Sequence, residues 1–139
     1  MDSSSPLPTG PYGRPLYYDL DGVPLSTWGE VGALRADLAA WRVGLDARQN
    51  AASGSVRVVS TVWLGIDQSF LATGAPLIFE TMAFEAAQVM PGVLGMGEAV
   101  ESYTVRWSTR EQAREGHVQV VAWLERDGWS IAVDAPDWE

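Results

Sequence analysis

The sequence predicts an α+β domain, an antiparallel sheet of about four strands with two helices packed on it. Three observations carry that class. Two dense runs of β-forming residues, Val56–Ile66 and Leu77–Phe84, flank a loop rich in Gly, Ser, Thr and Pro. Two other stretches open with capping-box spacing, Thr27 to Glu30 and Ser108 to Glu111, and continue with apolar residues at helical period. Finally, Ala99–Trp107 alternates Glu101, Tyr103, Val105 and Trp107 against Val100, Ser102, Thr104 and Arg106, the period of a strand.

Taken in order, residues 1–15 are rich in Ser, Pro and Gly and are expected to be a flexible arm. A single domain then spans 16–133, and 134–139 is an acidic tail. Leu16–Leu25 reads as a tight hairpin turning at Asp21-Gly22, with Pro24 restricting its second strand to an edge. The carboxylates of Asp19 and Asp21 are turn chemistry, because the other ligands of a calcium loop are missing. Trp28, Val31, Leu34, Leu38 and Trp41 predict a helix over 28–40. Arg42–Arg48 reads either as a strand pairing with Val56–Ile66 through the turn 49–54, which Gly44 favours, or as a continuation of the helix 28–40. The central pair is expected to place Ile66 opposite Leu77 and Trp63 opposite Glu80. Ser60, Val62, Leu64, Phe79, Thr81 and Ala83 then meet the core. Residues 85–98, with Pro91, Gly92, Gly95 and Gly97, read as an apolar loop. The second helix runs to about Arg126 with Ala113, His117, Val120, Val121 and Leu124 on one face, Gly128 just beyond it, and Trp129–Val133 as a short edge strand.

The runs VSTVWLGID and PLIFETMAF resemble a family of small uncharacterised proteins from actinobacteriophages and some actinobacteria. Tyr18-Asp19-Leu20-Asp21-Gly22, Thr27-Trp28-Gly29-Glu30 and the segment from Trp107 through Gly116-His117 extend the similarity over most of the chain. Gln68 stands where the family often has histidine, which argues against a metal or acid/base role at that position. The resemblance implies a source and a fold rather than an activity.

Composition bounds the function. The chain has 139 residues, enough for one real core, and 47% of them are apolar. Without cysteine there is neither a disulfide framework nor a Cys-ligated zinc site. The net charge of −9 repels phosphate backbones, so nucleic acid is not the expected partner. No signal peptide and no run of ~18 apolar residues is seen, so the expected location is the cytoplasm and no membrane contact is expected. All 9 basic residues are arginine, and 7 residues are tryptophan, a side chain that anchors cores and interfaces alike.

No catalytic constellation emerges. His117 is the lone histidine and is read as sealing its helix to the sheet through a backbone hydrogen bond, with no second histidine or cysteine to complete a metal or nucleophilic site. Asp67 and Glu80 would lie about 13 Å apart at ~3.3 Å per residue, too far for a glycosidase pair; Asp67 instead caps its loop, and Glu80 pairs with Arg57 or Arg106. No cofactor and no metal is therefore expected. The expected function is an accessory protein of phage type that binds a host or phage protein, or itself as a homodimer, through Trp63, Met82, Phe84, Met90, Leu94 and Met96. The alternatives are a small enzyme or ligand-binding protein with a cleft lined by His117, Glu80 and Arg106, and a minor virion component.

Overall fold

The computed structural model describes residues 9, 13–69, 74–90 and 93–136, with only the backbone described at 88–90 and 93. Most of the expected arm, Pro91-Gly92 of the expected apolar loop and the last three residues of the acidic tail lie outside that set. The fold class is α+β; the described residues form three helices, a five-stranded antiparallel sheet and a two-stranded one. The small sheet pairs β1 (Tyr17–Tyr18) with β2 (Pro24–Leu25) around a turn in which Asp19 Oδ1 accepts the N–H groups of Asp21 and Val23. The capping box at Thr27 and Glu30 then starts α1 (Trp28–Arg35). The single helix expected over 28–40 is broken. Asp37 accepts the N–H of Ala39 and starts a separate four-residue α2 (Leu38–Trp41), while the Trp41 indole donates back to the Arg35 carbonyl.

The main sheet is a meander of β3 (Arg42–Gln49), β4 (Val56–Trp63), β5 (Phe79–Met90) and β6 (Val93–Trp107). After α3 (Arg110–Arg126), β7 (Ile131–Val133) adds antiparallel to the outer edge of β3, giving the order β6-β5-β4-β3-β7. Two expectations need correcting. Residues 85–98 are not a loop but the body of the β5–β6 hairpin. Gly97 has a packing role there: a Cβ on it would come within 2.8 Å of the Glu85 carbonyl oxygen. The β4–β5 register is displaced by one residue, with Trp63 opposite Phe79, Val62 opposite Glu80 and Thr61 opposite Thr81. That slip turns Val59, Thr61 and Trp63 toward the helix, together with Phe79, Thr81 and Ala83, and sends Ser60 and Val62 to the other face.

Helix α3 covers this face. Its N-cap is Thr109 with Gln112 at N3, one position later than Ser108 and Glu111, and Gly128 closes it with φ +99°. Two apolar clusters lie beneath. At the first turns, Ala113 packs with Trp63, Phe79, Ile78, Val31 and Tyr18. Farther along, Val120, Val121 and Leu124 pack on Val59, Ala83, Tyr103 and Trp129. Gly116 lets the helix come this close, since a Cβ there would overlap the Trp107 indole. At the far end the Arg57 guanidinium lies 4.2 Å from the centre of the Trp129 ring and pairs with Glu85 at 2.7 Å. Beside it, the Tyr103 hydroxyl donates to Asp127.

Gly116→Ala should lower unfolding stability by about 1–3 kcal/mol in a denaturant titration, through overpacking against Trp107. Burial, the hydrogen bond to Asp127 and the Asp127 charge raise the Tyr103 pKa above its ordinary value, with Arg57 opposing. The native state then holds this proton more tightly than the unfolded chain. The resulting stability is fully present below about pH 10 and is lost as pH rises through the native value. A tyrosinate absorbance titration should show one late-titrating phenol that disappears in Tyr103→Phe.

Candidate functional site

His117 sits in the middle of α3, between the two apolar clusters, and is only 6% exposed. Its ring lies flat against the sheet because β3 presents Gly44 there; a Cβ on Gly44 would meet the ring at 2.8 Å. Nε2 lies 2.7 Å from Asp46 Oδ2, and Nδ1 lies 2.7 Å from Thr61 Oγ1. Thr61 Oγ1 is 2.6 Å from Thr81 Oγ1, which accepts the Trp107 indole N–H at 2.9 Å. The result is a chain of hydrogen bonds across four strands and one helix.

With the ring neutral, one proton arrangement satisfies every link. The carboxylate at one end can only accept and the indole at the other can only donate, so Thr81 accepts from the indole and donates its own hydroxyl to Thr61. Thr61 then donates to Nδ1 of a neutral imidazole, and the Nε2–H donates to the Asp46 carboxylate. The sealing role expected for His117 is present, but it acts through a hydroxyl and a carboxylate rather than through a backbone group.

The connectivity of carboxylate, imidazole and hydroxyl matches that of a nucleophilic triad. The geometry removes the chemistry. Thr61 and Thr81 are fully buried, so no substrate carbonyl can reach either oxygen. Outside the ring, Asp46, Arg48, His117, Val118, Val121, Ala122 and Glu125 line a groove of about 250 Å³. Its charges are already paired: Arg48 lies 3.0 Å from Glu125 and 3.9 Å from Asp46, and Asp46 holds His117. Among the described residues no group of three or more His, Cys, Asp or Glu side chains is placed to hold a metal ion. None of the helices built from described residues is long and apolar enough to cross a membrane.

The cleft expected from His117, Glu80 and Arg106 does not form. Glu80 and Arg106 pair with each other at 2.9 Å, and as strand neighbours of Thr81 and Trp107 they point away from the face that His117 covers. Asp67 does clamp its loop, accepting the N–H groups of Ser69 and Leu77 while pairing with Arg14 at 3.1 Å. The expected contact surface divides. Trp63 is fully buried and donates to the Asp19 carbonyl, so it belongs to the core and not to a surface. Met82 and Phe84 are half-buried on the face turned away from α3, Leu94 is 43% exposed and Met96 is half-buried. Met90 contributes its backbone to the hairpin, opposite Val93, and its side chain lies outside the described ones. Sequence reasoning missed Asp46, Thr61, Thr81 and Trp107 as partners of His117. Facing Thr61 and Thr81 across the ladder was the signal that could have found them.

Comparison of the chain with protein-family models, with curated proteins and with solved structures returned no match.

Thr61→Val keeps the side-chain volume and removes the central hydroxyl, leaving Nδ1 and the Thr81 hydroxyl without their partner. Unfolding stability should fall by about 1–3 kcal/mol. In the unmodified protein, nitrogen-15 NMR of the neutral ring should report the Nε2–H tautomer; an Nδ1–H tautomer would overturn the proton arrangement given above.

Proposed function

We propose that the protein works by binding another protein rather than by catalysis, with the outer part of the β5–β6 hairpin as its contact surface. The observation that carries this reading is the hairpin itself. The β4–β5 ladder ends at Arg57 and Glu85, and from Ala86 onward β5 is paired with β6 alone. This outer ribbon, Ala86 to Gly97, contains no ionisable side chain in a chain with 18 acidic and 9 basic residues. It displays Leu94 and Met96 in place of the buried Trp63. Uncharged apolar surface on a strongly charged protein is the composition of an interface centre.

The resemblance of VSTVWLGID and PLIFETMAF to actinobacteriophage proteins supports an accessory role of phage type in the host cytoplasm. The burial of Thr61 and the internally paired groove support a non-enzymatic protein. The net charge of −9 favours a protein partner over nucleic acid.

A tagged copy expressed in an actinobacterial host should retain a stoichiometric partner, or a second copy of itself. Replacing Leu94 and Met96 with Glu should weaken that capture more than tenfold while thermal unfolding stays near the wild-type midpoint. Capture that survives the double substitution unchanged would remove the hairpin from the interface.

A further inference from the structure

A second exposed apolar feature lies at the other end of the sheet. Strand β5 starts at Phe79, within the cluster that holds Tyr18 and Val31, and runs away from it toward the hairpin tip. At this near end Trp28 is 51% exposed, the most exposed of the described tryptophans, and Val23 is 55% exposed. The helix does not require tryptophan there, since it is the first residue after the Thr27 cap and tryptophan is a mediocre helix former. Its described ring contact is with Tyr17, at 5.6 Å between centroids and tilted by 48°.

The Tyr17 side of the pair is anchored to the sheet, and Trp28 sits on the first turn of a capped helix. Tyr17 pairs with Leu25 in the small sheet and bridges to Ile66, Tyr18 N–H donates to the Gly65 carbonyl, and the Trp63 indole donates to the Asp19 carbonyl. A rigid aromatic platform loses little entropy when something binds it.

Its chemistry selects the occupant. Elsewhere this chain covers indole faces with its own arginines, Arg57 over Trp129 at 4.2 Å and Arg35 over Trp41 at 5.7 Å. Among the described residues no guanidinium lies over Trp28. Between Arg14, which pairs with Asp67, and Arg35, which is held by the Leu64 carbonyl and the Trp41 ring, the sequence contains Asp19, Asp21 and Glu30 and no basic residue, so acidic groups outnumber basic ones along this stretch. We infer that the Tyr17–Trp28 pair is the docking platform for an arginine or lysine side chain in a basic segment of a partner polypeptide. The inference rests on the reading that this protein binds another protein, and it assigns a contact separate from the hairpin.

The test uses the full-length protein and a short synthetic peptide of alternating Arg and Ser, with a Glu-Ser peptide as its counterpart. Trp28→Ala leaves the net charge unchanged, so general attraction between the peptide and an acidic protein is the same in both. Affinity for the Arg peptide should drop about tenfold in Trp28→Ala and much less in Trp28→Phe, which keeps a π face. The Trp28 indole N–H resonance should shift with the Arg peptide and stay in place with the Glu peptide. Equal affinity of wild type and Trp28→Ala, each with a native thermal transition, would overturn the platform. The Leu94/Met96→Glu double variant should bind the Arg peptide no more weakly than wild type does. A platform that fails while that variant still abolishes partner capture sinks only this inference. Capture that survives the double variant sinks the hairpin reading instead.

Discussion

The close approach of α3 to the sheet at Gly44 and Gly116 is the constraint on which the rest of the molecule depends. Two missing β-carbons, one on the strand and one on the helix, let the His117 ring and the Trp107 indole lie between the layers. The ring then reaches Thr61 and Asp46 at once, and the indole reaches Thr81. Apolar burial supplies the larger energy, at about 1.5–3 kcal/mol for a side chain such as Phe79 or Leu124. Each neutral hydrogen bond adds only about 1 kcal/mol net. What the polar chain adds is position. Sliding α3 by one turn would keep apolar surface against apolar surface, but it would strand the buried imidazole and take the Thr61 hydroxyl's ring partner away.

Elements with local signatures were legible in the sequence. The α+β class, the Thr27–Glu30 capping box, the Asp19 turn and the closing glycine at 128 each follow from chemistry within a few residues. Features set by tertiary context were not. The β4 register failed because both faces of that strand are buried at its centre: Val58 and Ser60 are as inaccessible as Val59 and Thr61. Alternation carries no information in such a strand. The pairs Arg57–Glu85 and Thr61–Thr81 carry it instead. The hairpin was read as a loop for a related reason. Its glycines suggest turns in isolation, whereas Gly97 is needed for close backbone approach and the strands absorb their irregularity in three shifts of register.

The site was legible as a residue and not as a geometry. Being the single histidine on the apolar side of a capped helix is enough to single out His117. The members of its hydrogen-bonded chain come from four strands and follow only once the register is known. The tryptophans divide in the same way. Trp63 lies in a run that reads as exposed on one parity and as core on the other, and the ladder decides for the core. Trp28 belongs to the apolar stripe expected to pack on the sheet, yet at the first helical position it is half exposed while Val31 of the same stripe is buried.

The order of the sheet has a consequence for biosynthesis. Strands β3 to β6 are consecutive neighbours, so the whole meander from Arg42 to Trp107 can zip together from short-range pairings as it is made. Its covering helix is translated afterwards, and β7, which seals the outer edge of β3, follows later still. A nascent chain therefore passes through a stage in which Val59, Ala83 and Tyr103 form a bare apolar patch on a sheet with open edges on both sides. At that stage the protein is most exposed to aggregation and to capture by chaperones.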